Sequence, residues 1–171
     1  MQRIVILFLL SLMFSGVYAQ DGWILRKSGT TTTLTSISSA DGQNVVAVGL
    51  NSTVVVSHSG GVGWQLFDNF RAKQTGFGRH LFGVASMSDK IFCAVGLVDS
   101  IYRSTDKGNS WIGIGSALDA CTSLTGIVPL LSAIDFDSAS GVAAAVGVSS
   151  LALFSTDLGK SWTEGATVQQ A

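Results

Sequence analysis

The side chains able to break bonds are few, and their spacing does not suit the task. Glycosidic hydrolysis by paired carboxylates needs two acids flanking a cleft, and hydrolysis on a Tyr nucleophile needs a Glu partner and an Arg cluster. The chain holds one Glu, Glu164, and two Tyr, of which Tyr18 lies in an apolar N-terminal stretch and Tyr102 stands beside Arg103. Arg26, Arg71, Arg79 and Arg103 are scattered. His58 and His80 are the only histidines, and neither has a His or Cys at a ligand spacing, so no zinc site is expected. No Gly-x-Ser-x-Gly elbow accompanies the many serines. Gly76-Phe77-Gly78 and Gly113-Ile114-Gly115 lack the rest of a phosphate loop and read as turns. The expectation is a non-enzymatic chain without catalytic, cofactor-binding or metal-ligating residues.

The elements that would position any site are strands. Of 171 residues 47% are apolar and only 12% charged, with 10 basic against 11 acidic, 20 Gly and one Pro. Near-neutral charge argues against a nucleic-acid partner, and the wealth of Val, Ser, Thr and Gly with a single Glu favours an all-β domain. Arg3, the apolar run Ile4 to Phe14 and the small-residue end Val17-Tyr18-Ala19 read as a secretory signal peptide, 1–19, cut before Gln20. Residues 20–171 then form one domain with no further stretch long enough to span a bilayer. Secretion to an extracellular or periplasmic space would let Cys93 pair with Cys121; the alternative is an inert buried thiol within Phe92-Cys93-Ala94-Val95. Asn51-Ser52-Thr53 is an N-glycosylation sequon if the secretory route is eukaryotic.

One unit recurs three times. Leu34 to Trp64 lies over Leu81 to Trp111 without a gap, and a third copy ends at Trp162. Gly49, Gly96 and Gly147, each the last residue of an Ala-Val-Gly, stand fifteen residues before Trp64, Trp111 and Trp162. Only the start of the third copy slips, with Leu131 and Ile134 one residue too early. Each copy alternates and turns as four strands: in the first, Thr35 to Ser39, Asn44 to Leu50, Thr53 to Ser57 and Trp64 to Phe67, with turns at Asp41-Gly42 and Asn51-Ser52. Copies spaced by 47 and 51 residues with four strands apiece are the signature of propeller blades. The extra length falls in two inserted loops, between Phe67 and His80 and between Ile112 and Leu130.

The end of each copy carries the family signal. Ser104-Thr105-Asp106-Lys107-Gly108-Asn109-Ser110-Trp111 and Ser155-Thr156-Asp157-Leu158-Gly159-Lys160-Ser161-Trp162 match S/T-x-D-x-G-x-x-W, the Asp-box (BNR-like) pattern. A degenerate third box runs from Ser57 through Gly61 to Trp64, with Ser59 in place of the Asp, and Asp21-Gly22-Trp23 matches the remnant of a fourth. These boxes resemble those of sialidases, sortilin-type receptors and photosystem II assembly and stability factors, and the whole unit is most similar to the last group. Each Asp is expected to accept backbone N–H groups of its own hairpin, each Gly to supply positive φ and each Trp to pack between sheets, a structural role rather than a catalytic one. With Ser59, the first hairpin should be the loosest.

The resemblance implies a β-propeller with the boxes on one face and the blade-to-blade connections on the other. That second face would collect Asn51 and Asp99 from short turns together with Arg71, Lys73, Arg79 and His80 from the first insertion, where basic residues alternate with Phe. It is the expected binding face for a protein or glycan partner. The implied role is a scaffold or assembly factor, with a thylakoid lumen as the alternative location; a glycan-binding or glycan-cleaving relative of sialidases is the competing reading. Propellers have about four to eight blades. Three copies plus a leading strand, Trp23 to Lys27, leave the ring short: either that strand completes the final blade, or the chain is a remnant of a longer protein, or copies assemble to close the ring, and self-association is the expectation.

Overall fold

The computed structural model describes residues 24–67, 80–97, 101–114, 130–148 and 150–165. They form three sheets, each of four antiparallel strands in sequence order. The first is β1 (Leu34–Ser38), β2 (Val45–Gly49), β3 (Thr53–Ser57) and β4 (Gln65–Leu66). The second is β5 (Leu81–Ser86), β6 (Phe92–Gly96), β7 (Ile101–Ser104) and β8 (Ile112–Gly113), and the third β9 (Leu131–Asp137), β10 (Val142–Gly147), β11 (Ala152–Ser155) and β12 (Thr163–Glu164). Each repeat of the sequence is thus one blade. The outer strands β4, β8 and β12 are two residues long, which leaves little edge for another chain to pair with.

Burial on both faces explains why the middle strands read as continuous apolar runs. Val46, Val48, Val54 and Val56 of the first sheet pack on Leu81, Val84, Phe92, Ala94 and Tyr102 of the second. Cys93, Val95 and Ile101 on the other face of that sheet pack on Leu131, Ala143, Ala145, Leu151 and Leu153 of the third. Two apolar seams therefore hold three blades, and alternate residues of one strand serve different seams.

The glycine that ends each Ala-Val-Gly has a steric cause. The first strand of each sheet bulges by one residue beside the glycine: Leu34 pairs Gly49 but Ser36 pairs Val48, and Leu81/Gly83 and Leu131/Ala133 repeat the pattern. The bulge turns a backbone carbonyl onto the glycine, so that a Cβ at Gly49, Gly96 or Gly147 would fall on the oxygen of Thr33, His80 or Leu130. The next N–H donates to that same oxygen, as in Leu97 N–H to His80 O at 2.8 Å. Leu131 pairs Gly147 as Leu34 pairs Gly49, so the slip in the third copy is absorbed beyond Ile134, in the Asp137–Val142 hairpin.

The leading strand does not form. Residues 24–27 belong to no strand and pair with none of the described residues, and Leu25 is fully exposed. The third sheet already has β12 in its outermost place, so the leader finds no edge there to complete. Trp23 lies outside the described residues.

Gly96→Ala is expected to destabilise the protein by about 3 kcal/mol in urea unfolding, because the obstructing atom is backbone and cannot swing aside. Gly141→Ala is the control. Its Cβ meets nothing within 4 Å and only its φ of +73° opposes a side chain, so about 1 kcal/mol is expected.

Candidate functional site

The carboxylates of the repeat are spent inside their own turns. In the second hairpin Asp106 Oδ1 accepts from Ser110 N–H (2.8 Å) and from the Ser104 hydroxyl (2.9 Å), while Oδ2 accepts from the Ser110 hydroxyl (2.7 Å). The third hairpin repeats this: Asp157 accepts from Lys160 N–H, Ser161 N–H and the hydroxyls of Ser155 and Ser161. Ser104 and Ser155 in turn accept from Gly108 and Gly159 N–H, both at 2.9 Å. The residue before each glycine also takes positive φ, Lys107 at 64° and Leu158 at 59°. In the first hairpin Ser57 accepts from Gly61 N–H, and Ser59 Oγ accepts from Gly63 N–H at 3.0 Å and shares a hydrogen bond of 3.4 Å with the Ser57 hydroxyl, where Asp106 holds both groups of Ser110.

These hydrogen bonds set the charge state. Asp157 is held well below the usual carboxylate range by the Ser161 hydroxyl and N–H and by Ser155. For Asp106 partial burial pulls the pKa upward, but the bonds from Ser110 and Ser104 outweigh it. Asp41, in the β1–β2 turn, is lowered to about 2 by Asn44 N–H and the Asn44 amide. All three are turn anchors rather than proton donors.

The second and third hairpins are each seated on the blade before them. A Cβ on Gly108 would stand 3.0 Å from Val46 and Val56 of the first sheet, and one on Gly159 would strike Cys93 Sγ of the second. The buried Arg103 of β7 donates from Nε to Leu158 O of the third hairpin at 2.7 Å. His58 of the first hairpin lies between Asn44 Oδ1 (2.9 Å) and Asn109 Oδ1 of the second (3.2 Å). Trp64 and Trp111 donate from Nε1 to Gly61 O and Gly108 O at 3.0 Å. Trp162 sinks deeper into the seam between second and third blades, and its Nε1 has no hydrogen-bond partner among the described residues. Cys93 is a free thiol in that same seam, its pKa pushed up to about 12 by burial. Cys121 lies outside the described residues.

The inner strands leave a groove of about 520 Å³ at the axis of the three blades, a feature that no sequence motif announces. Ser36, Ile37 and Ser38 of β1 line one wall, Val84 and Ser86 of β5 the floor, and Ile134, Asp135 and Phe136 of β9 the other wall. Hydroxyls cover the backbone along it. Ser36 Oγ accepts from Val84 N–H (3.2 Å) and Ser38 Oγ from Ser86 N–H (2.9 Å), while Thr35 donates to Leu81 O (2.7 Å). On β9 Asp135 does this for its own neighbour, accepting from Phe136 N–H at 2.8 Å. Ile37 is 61% exposed to the groove. Asp135 is the only carboxylate among the lining residues.

On the opposite end of the blades, two residues of the expected binding face meet. Asn51, exposed in a left-handed turn at φ 55°, donates its N–H to His80 Nδ1 at 3.1 Å, and the His80 ring stands edge-on to Phe82. Arg71, Lys73, Arg79 and Asp99 lie outside the described residues. Among the described residues no three His, Cys, Asp or Glu gather as metal ligands, and no helix is long and apolar enough to cross a membrane.

No family model and no curated protein matches the chain. Solved structures do. YCF48 bound to D1 peptide aligns over 79% of this chain and 41% of its own length, at 19% identity and TM-score 0.57. YCF48 from Cyanidioschyzon merolae aligns over 79% and 40%, at 20% identity and TM-score 0.57. A GH74 xyloglucanase from Xanthomonas campestris aligns over 80% and 23%, at 19% identity and TM-score 0.56. The fold is of β-propeller type, and the described residues form three of its blades. The chain spans about two fifths of the YCF48 structures and under a quarter of the xyloglucanase.

The turn carboxylates link stability to pH. Their folded pKa values lie below the unfolded ones, so their contribution is complete above the unfolded value near pH 4 and is lost as pH falls through the folded values. The thermal midpoint should therefore hold above about pH 5 and drop steadily toward about pH 2. Asp157→Asn should lower the midpoint at neutral pH and flatten the acid limb; an unchanged limb would show that Asp157 is not a linked group.

Proposed function

We propose that this chain is an exported, non-enzymatic propeller-type scaffold, related to the Asp-box assembly factors, that holds an extended polypeptide in its axial groove. The groove itself is the observation that carries the reading. Serine hydroxyls offer bonds to a peptide backbone, Ile37 and Phe136 offer apolar contact, and Asp135 offers one negative charge to a basic side chain. The hairpin carboxylates are occupied in their turns. That one structural neighbour is YCF48 bound to D1 peptide supports a peptide ligand on this type of fold. The Asn51–His80 end, with the first insertion, would serve as a second contact for the same partner.

Fluorescence polarisation with a panel of labelled peptides alternating apolar and basic residues tests this. Binding is expected for the native protein, and Ile37→Asp should weaken it by about tenfold or more while leaving the melting curve unchanged. Blank peptide panels together with glycan-array signal, or turnover of fluorogenic glycosides, would replace this reading with the glycan one.

A further inference from the structure

The innermost strand of each sheet has a neighbour on one side only, so alternate backbone groups along it point toward the axis. The three blades treat those groups differently. In β5 the Val84 and Ser86 N–H groups are turned from β6 and covered by β1: Ser36 Oγ accepts from Val84 at 3.2 Å and Ser38 Oγ from Ser86 at 2.9 Å. In β9 a Cβ at Gly83 would stand 3.1 Å from Ile134 N, so β5 closes over that group, and Asp135 takes Phe136 N–H at 2.8 Å. The repeat sets Ile37 and Ser39 of the first blade at the places of Val84 and Ser86. Neither N–H makes a hydrogen bond to a side chain or a turn among the described residues, and Ile37 is 61% exposed where Val84 is 4%. In an antiparallel ladder a residue's N–H and C=O point to the same side, so Ile37 presents a donor and an acceptor to the groove, and Ser39 sets a second donor two residues on.

We infer, resting on the peptide reading of the groove, that the ligand pairs with this edge of β1 as an added strand of the first sheet and is read by its backbone rather than by its sequence. Two residues is the period of an extended chain, so a segment lying along β1 brings one carbonyl to Ile37 N–H and the next on that edge to Ser39 N–H. A second copy of this chain does not bring them. Its β9, the strand that blade order would set against β1, carries Ala133 where β1 carries Ser36, without an acceptor. It carries Asp135 where β1 carries Ser38, and that carboxylate already holds Phe136 N–H. The substrate class is therefore a short extended polypeptide segment with its N–H and C=O groups free along one edge, and proline on that edge is excluded.

The probe is a short labelled peptide of alternating valine and lysine, capped at both ends, with a series in which each residue in turn is N-methylated. Fluorescence polarisation should show affinity falling by about tenfold or more for methylation at every second residue and holding within about twofold at the residues between. In amide hydrogen exchange followed by NMR, Ile37 and Ser39 should slow by about tenfold or more on binding, with Val84 and Ser86 unchanged. A flat methylation series, or protection gained on other strands and not at Ile37 and Ser39, would overturn the pairing while leaving the groove a peptide site. Protection of both amides in the free protein would overturn it as well, because the edge is then already covered. Absence of any peptide binding overturns the pairing together with the groove reading on which it rests.

Discussion

Every Ser-Asp-Gly-Trp hairpin is closed by its own residues and seated by the blade before it, and the rest of the molecule depends on that contact. The Ser and Asp acceptors fold the turn tightly enough to bring a glycine forward, and the glycine lets the turn press on the preceding sheet where a Cβ would strike Val46 and Val56 or Cys93. One local hydrogen-bond cage thus fixes a long-range spacing. The Trp ring and Arg103 then fill the seam that the contact defines. A blade of four short strands is not stable alone, so the hairpin contact helps join three marginal sheets through two apolar seams.

The same economy explains why acidic residues in this protein do not point to catalysis. A carboxylate that accepts several N–H and O–H bonds is stabilised as the anion and is a poor proton donor at neutral pH. Asp41, Asp106 and Asp157 are in that condition. Among the described residues the axial groove is an open surface, where hydroxyls satisfy the inner edges of the strands without closing the space above them. Asp135 stands apart from the hairpin carboxylates in facing that space.

Much of this was legible in the residues. Two matches to the hairpin pattern and one degenerate copy, at a constant distance from Ala-Val-Gly, located the blades and their strands to within a residue or two. The positive φ of Gly108 and Gly159 followed from the turn chemistry. The positive φ of Lys107 and Leu158 did not, although Gly60 at the equivalent place in the first hairpin was a sign of it. The leading strand misled because Trp23 to Lys27 has strand composition, and composition does not say whether an edge is free to receive it. The groove left no motif at all, since its walls are built from three strands separated by some fifty residues each and from side chains as common as Ser and Ile.

What the sequence by itself determined is whatever short-range chemistry decides: the strand periodicity, the turns, the capture of each Asp by its hairpin and the places where only glycine serves. Which blade each hairpin seats on, which valines end in a seam, and the exposure of Phe154 and Val146 were decided by the tertiary structure. Burial depends on what lies opposite, and the repeat is the same in all three copies while the surroundings are not. Val146 and Phe154 of the third blade stand where Val95 and Arg103 of the second are buried, and only the fold reveals that no blade of this chain, among the described residues, stands against them.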